Sequence, residues 1–368
     1  MNIIYVTDSA MNPESGGIAR ITYIMSQALQ TYFHYSVYAY YGQEDFNTFI
    51  HKIGPCIVII QSPGKVAPKV LETVKKSENV RIITVFHGTP GYELIPLRCE
   101  IINYRIWHNI ERKWTIKQLL LQLGEAILPK KYFLRKLQTK YARPYEKADK
   151  IVVLSAGLID QYQKIAPGNK ELFVAIPNAL SFSKVSLPDV KAKEVLVVAR
   201  LDDWHKRILD ILKIWSIVQK KNAYSDWTLR IVGDGIDKSF YEEYTRKKII
   251  PNICFDGQQN PLPYYQNSSI FLMTSACEGL PMTVLEAQQC GCVPILYDSF
   301  ASAKDIVTNG ENGFLIPNQD SEQFVNTMMQ LMSDANMRKK MSAACIQSSE
   351  RYSTKNIASQ WNELLQSL

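Results

Sequence analysis

Residues 277–287 read CEGLPMTVLEA, Cys277 to Ala287, directly after the run 269–275, SIFLMTS. That run is short, apolar and bounded by polar residues, as a buried strand is. Pro281 suits the first turn of a helix, and Met282 to Gln289 continue it. The segment therefore reads as strand, Gly-Leu-Pro turn, helix. Glu278 stands just before the turn and Glu286 inside the helix, where Leu or Ala would satisfy a purely structural helix.

The same unit recurs outward in both directions. Runs 2–6, 36–40, 56–61 and 81–86 read as strands, with the helical spacing Ile18, Ile21, Met25, Ala28 between the first two. The rhythm resumes at 149–155 and 171–178. A second series follows at 194–200, 227–235, 252–257, 269–275 and 292–298, then a loop, NGENGFLIPNQD, and helical runs to the end. Alternating strands and helices imply parallel sheets covered on both faces. The expected fold class is α/β, two doubly wound Rossmann-like domains facing a central cleft. Expected boundaries are 1–178, a linker at 179–193, a second domain at 194–350, and a C-terminal helix at 351–368 that packs back on the first domain.

Composition excludes several classes. At 368 residues, 46% hydrophobic and 21% charged, the chain is an ordinary two-domain globular protein. No run reaches the roughly 18 apolar residues of a membrane span. The start lacks a basic and then apolar leader, so a cytoplasmic protein is expected. The seven cysteines are scattered without a metal-binding pattern and read as buried, reduced thiols. No metal site is expected. The net charge of +7 is concentrated: residues 98–150 hold 13 Lys/Arg against 5 Asp/Glu, and the rest sums to near zero.

In doubly wound sheets ligands bind at the carboxyl ends of strands, so candidate site residues are expected there. After strand 2–6 come Gly16 and Gly17, just before a helix, where bare backbone could approach an anion or simply turn the chain. Strand 81–86 ends at His87, able to hydrogen-bond a substrate hydroxyl or its own loop. Strand 194–200 ends in ARLDDWHKR. There Arg200 and Lys206 suit a diphosphate, or form a surface charge run with Asp202, Asp203 and Arg207. The VGDG turn, 232–235, reads as a chain reversal with no catalytic role for Asp234. Eight helical residues rise about 12 Å, beyond the ~5–5.5 Å between the carboxylates of a retaining glycosidase. Glu278 and Glu286 should then hold different hydroxyl pairs of one long ligand.

These motifs resemble the retaining glycosyltransferases of family 4, glycosyl transferases group 1, which have the GT-B fold. The resemblance runs through GG at 16–17, HG at 87–88, ARL…K at 200–206, VGDG at 232–235, FDGQ at 255–258 and EGLPMTVLEA at 278–287. It implies that Arg200 and Lys206 hold a donor diphosphate, Glu278 and His87 touch the donor sugar, and Gly17 approaches the phosphate beside Gly16. It also implies that Gly279, Leu280 and Pro281 present backbone, Glu286 binds the ribose, and the base lies near Phe255. Two positions depart from the family pattern: Ala199 and Arg207 stand where glycines are usual.

The implied activity is transfer of a hexose or N-acetylhexosamine from a nucleotide sugar, UDP-linked by family habit, to a glycan or lipid-linked acceptor. No cofactor is expected beyond the donor. The basic window interleaves Trp107, Trp114, Tyr132, Phe133, Tyr141 and Tyr145 with cations. It suits an anionic membrane surface at the inner face of the plasma membrane, or a solvated helical face. No nucleic-acid module is present. Competing readings are a GT-B sugar-nucleotide epimerase, a phosphorylase, and a non-catalytic membrane-associated scaffold.

Overall fold

The computed structural model describes residues 1–13, 16–61, 66–74, 79–91, 100–101, 103–104, 130–183 and 185–368. The chain divides into two units. One comprises Met1–Pro90, Lys131–Ser183 and Arg351–Leu368; the other comprises Gly91–Lys130 and Lys184–Glu350. Among the described residues each unit holds one six-stranded sheet, and every strand pair is parallel.

In the first unit the strands are β1 (Asn2–Val6), β2 (Ser36–Tyr40), β3 (Cys56–Ile60), β4 (Val80–Phe86), β5 (Lys150–Val153) and β6 (Phe173–Ala175), in the order β2-β1-β3-β4-β5-β6. The central strands are buried on both faces, which is why they read as unbroken apolar runs. Helices α1 (Gly17–Phe33), α2 (Phe46–Ile53), α3 (Ala67–Thr73), α4 (Lys130–Lys147) and α5 (Ala156–Ile165) connect them. The C-terminal helix, Thr354–Gln366, completes this core: Ile357, Ala358, Trp361, Leu364 and Leu365 pack with Met25, Ala28 and Leu29.

In the second unit the strands are β7 (Ala192–Val198), β8 (Thr228–Val232), β9 (Ile253–Gly257), β10 (Ser268–Met273), β11 (Val293–Asp298) and β12 (Phe314–Pro317), in the order β12-β11-β10-β7-β8-β9. The helices are α6 (Asp203–Lys206), α7 (Ile208–Val218), α8 (Lys238–Lys248), α9 (Leu262–Asn267), α10 (Met282–Gln289), α11 (Ala303–Ile306), α12 (Ser321–Ser333) and α13 (Ala335–Ser349). Helix α7 is apolar nearly all round, and Trp215 at its centre is fully buried with its indole N–H donated to the Pro251 carbonyl at 3.0 Å. Truncating such a residue to Ala costs about 3–5 kcal/mol.

Two sequence expectations need correction. The expected loop 309–320 contains β12, an edge strand of only four residues ending in Pro317, and the two Asn-Gly pairs just before it disguise it. The linker 179–193, by contrast, contains the boundary between the units, after Ser183, and its residues 186–190 are exposed. Ala179 and Leu180 are buried, and Lys191 caps the end of α9 by donating to the Tyr265, Gln266 and Ser268 carbonyls, each at 2.9 Å. The basic window does not keep to one unit. Ile101 lies fully buried in the second unit's core, Tyr104 packs against Phe240, and Glu100 pairs with Lys213.

The membrane-facing expectation for Trp107 and Trp114 falls on residues outside the described ones, and so do the side chains of Tyr132 and Phe133. Tyr141 and Tyr145 face inward, into an aromatic cluster with Phe86, Tyr162 and Phe173. Among the described residues no helix is long and apolar enough to cross a membrane. The described cysteines are free thiols, and Cys56, Cys277, Cys290, Cys292 and Cys345 are buried. Burial pushes Cys56 up to about 11 and Cys290 and Cys292 up to about 12, so they stay protonated and inert.

Candidate functional site

Strands β7 and β10 are neighbours, so their carboxyl ends open side by side. Three hydrogen bonds join the loops that leave them. The Thr274 hydroxyl donates to the Lys206 carbonyl at 3.1 Å and to the Arg207 carbonyl at 3.0 Å. The Ala276 N–H donates to the His205 carbonyl at 2.7 Å. The result is a fixed backbone platform carrying Lys206 from one strand end and Glu278 from the other.

Their side chains meet. Lys206 Nζ lies 2.5 Å from Glu278 Oε1, with the two side chains 19% and 15% exposed. Lys206 does not open a long helix. It ends the single turn α6, and Arg207 follows in the left-handed conformation at φ 49° before α7 begins. Arg207 takes this geometry although it is not glycine, and its guanidinium donates to Asn318 Oδ1 at 2.9 Å. Arg200 is far more exposed, at 62%, and lies 3.3 Å from Asp202 and 3.5 Å from His205 Nδ1. Burial draws His205 below the ordinary imidazole range, and the nearby Glu278 carboxylate opposes that pull.

The cation loop has an anchor that composition hid. Asp203 is not part of a surface charge run: it is 1% exposed. Its Oδ1 accepts from the Leu209 N–H and the Tyr241 hydroxyl, both at 3.0 Å. Its own N–H donates to the buried Asp237 carboxylate at 2.9 Å. Burial and the Asp203 charge hold the Tyr241 hydroxyl well above its usual range, so it remains a donor. The VGDG turn serves the same loop. A Cβ on Gly233 would lie 1.9 Å from the Ala199 carbonyl oxygen, and Leu201 N–H donates to the Asp234 carbonyl at 2.8 Å.

Glu278 and Glu286 do not share a continuous helix, so the helical rise of about 12 Å does not separate them. Helix α10 starts at Met282; Pro281 is its cap at ψ 97°, without a side-chain hydrogen bond, and Glu278 precedes it. Glu286 is 4% exposed, and its Oε2 accepts from the Tyr265 hydroxyl at 3.1 Å. Gly279 follows Glu278 in the loop and Leu280 is buried. Phe255 is half-buried and packs against the core of its own unit.

In the first unit, Gly16 adopts φ 131° at the start of α1. A Cβ on Gly16 or Gly17 would meet nothing within 4 Å. Both line a cavity of about 310 Å³ with Thr7, Asp8 and Gln61. His87 Nε2 lies 2.6 Å from Gln61 Oε1, and burial lowers its pKa to about 4, so the ring is neutral at pH 7. Sequence reading missed Gln61, Asp237, Tyr241, Thr274 and Tyr265, since each looks like an ordinary core or turn residue. Among the described residues no group of three or more His, Cys, Asp or Glu is placed to hold a metal.

Comparison with known proteins places this geometry. Residues 180–347 match the family described as glycosyl transferases group 1. An uncharacterised glycosyltransferase of Haemophilus influenzae is 27% identical over 82% of this chain and 80% of its own length. A lipopolysaccharide 1,6-galactosyltransferase of Salmonella typhimurium is 28% identical over 53% of this chain and 55% of its own length. The crystal structure of Anabaena HepE in complex with UDP and glucose superposes with TM-score 0.69 at 16% identity, covering 100% of this chain and 99% of that one. That likeness establishes the GT-B fold.

Proposed function

We propose that this chain, a glycosyltransferase with the GT-B fold, moves a hexose or N-acetylhexosamine from a nucleotide sugar to a lipid-linked or oligosaccharide acceptor of a bacterial surface polysaccharide. The observation that carries this is the meeting of Lys206 and Glu278 on adjacent strand ends, within the region that matches group 1. The names of the Salmonella relative and of the HepE complex support a polysaccharide product and a UDP-linked donor.

In this reading Arg200, Lys206 and the uncapped N-terminus of α10 stabilise the negative charge that grows on the leaving diphosphate. Glu278 accepts from the sugar hydroxyls and Glu286 from the ribose, with Tyr265 fixing the orientation of Glu286. Backbone of Gly279, Leu280 and Pro281 lies along sugar and phosphate. Gly17 and His87 are kept as ligand contacts of the first unit. The anomeric carbon–oxygen bond breaks and the acceptor oxygen enters from the same face. Same-face entry retains the anomeric configuration, and the acceptor's proton goes to a phosphate oxygen of the leaving diphosphate. The place of action is the cytoplasm, at the inner face of the plasma membrane. There the cation-rich run that includes α4 meets anionic lipid.

A thermal-shift panel of UDP-, GDP- and ADP-sugars tests this, with wild type beside Arg200→Ala and Glu286→Ala. One nucleotide class should raise the melting temperature of wild type and of neither variant. A panel in which no nucleotide sugar shifts wild type removes the proposed donor site.

A further inference from the structure

We propose that Glu278 makes the donor site discriminate between an intact nucleotide sugar and the nucleoside diphosphate left after transfer, by competing with phosphate for Lys206. This rests on the donor-site reading above and adds a selectivity to it. Each cation of the site already faces a carboxylate of the same unit. Arg200 has Asp202 at 3.3 Å, and Lys206 has Glu278 at 2.5 Å. The two pairs differ in the exposure of the cation. The Arg200 side chain is 62% exposed, so a diphosphate can reach its guanidinium from solvent with Asp202, itself 16% exposed, still in place. Lys206 and Glu278 are both mostly buried. Taking Lys206 away leaves the Glu278 carboxylate poorly hydrated beside incoming negative charge.

Neither side can drift away to relieve this. The Thr274 and Ala276 hydrogen bonds hold the backbones of the two loops together. What decides the outcome is the rest of the ligand. An intact nucleotide sugar brings hydroxyl groups that donate to the carboxylate released from Lys206. A free nucleoside diphosphate brings additional negative charge and no such donors. Glu278 therefore costs the product affinity that it does not cost the donor, and product leaves more readily.

The test is titration calorimetry of UDP, GDP and ADP, and of the matching nucleotide sugar, against wild type, Glu278→Gln and Arg200→Ala. Gln keeps the shape and removes the charge. The diphosphate that binds wild type should bind Glu278→Gln about tenfold tighter or more. The matching nucleotide sugar should gain less or lose affinity. Glu278→Ala gives the same comparison if the amide variant fails to fold. Should Arg200→Ala weaken the diphosphate while Glu278→Gln binds it no tighter than wild type, the discrimination is overturned and the donor site stands. Should no diphosphate bind wild type, or Arg200→Ala bind it unchanged, the donor site is overturned and the discrimination with it.

Discussion

Lys206 and Glu278, separated by 72 positions in the chain, form an ion pair with Nζ 2.5 Å from Oε1. They come from the ends of neighbouring strands, and the pair joins a group suited to phosphate with one suited to hydroxyls. Because it is mostly buried, removing one partner should destabilise the fold. Lys206→Met and Glu278→Gln should each lower stability by about 1–3 kcal/mol, and the double variant by less than the sum, a coupling of at least about 1 kcal/mol. Urea unfolding of the four proteins measures this; strictly additive losses would show that the contact contributes nothing.

The buried Asp203 should be the most sensitive support of the cation loop. Asp203→Ala leaves the Leu209 N–H and the Tyr241 hydroxyl without their acceptor and should cost about 2–4 kcal/mol. Tyr241→Phe removes one bond and should cost about 1–2 kcal/mol. Denaturant midpoints at constant slope report both. An Asp203→Ala protein as stable as wild type would contradict the anchoring role.

Two glycines should part company on substitution. Gly233 has φ 140° and no room, with a carbonyl oxygen 1.9 Å from any Cβ, so Gly233→Ala should lose more than about 3 kcal/mol or fail to fold. Gly17 opens onto space, so Gly17→Ala should stay within about 0.5 kcal/mol of wild type. Melting curves of the two variants decide; similar losses would mean that the close approach at Gly233 is not a constraint.

His87 predicts a pH dependence. Burial holds its folded pKa at about 4, below the ordinary imidazole value of 6.5, so the folded state favours the neutral ring. Its contribution is fully present above pH 6.5 and is lost as pH falls towards 4, because the unfolded chain then binds a proton that the folded one refuses. The full effect is on the order of 3 kcal/mol. The stability of wild type relative to His87→Gln should therefore shrink across that window. A pH-independent difference between them would contradict burial of a neutral His87.

Much of the architecture was legible because parallel strands buried on both faces leave unbroken apolar runs. Run 2–6 coincides with β1, and run 56–61 overruns β3 by one residue. β12 was not legible, since four residues ending in Pro317 after two Asn-Gly pairs carry no periodicity. At the site, Arg200, Lys206, Glu278 and Glu286 stood out because charged groups at apolar strand ends need a reason. Asp203 reads as part of a surface charge run for the converse reason. Charge near other charges looks solvated until tertiary hydrogen bonds enclose it, and spacing along the chain does not report those bonds. Likewise nothing in the spacing shows that β7 and β10 are neighbours, the relation that brings Lys206 to Glu278.

The central claim is that the second unit binds a nucleotide sugar through Lys206 and Glu278 and cleaves it at the anomeric carbon. The most direct measurement is release of nucleoside diphosphate from saturating UDP-, GDP- and ADP-sugars, comparing wild type with Lys206→Ala. The account predicts slow release from one nucleotide class by wild type, and at least about a hundredfold less by Lys206→Ala. Equal release by the two proteins, or none from any class by wild type with acceptor membranes supplied, would contradict it.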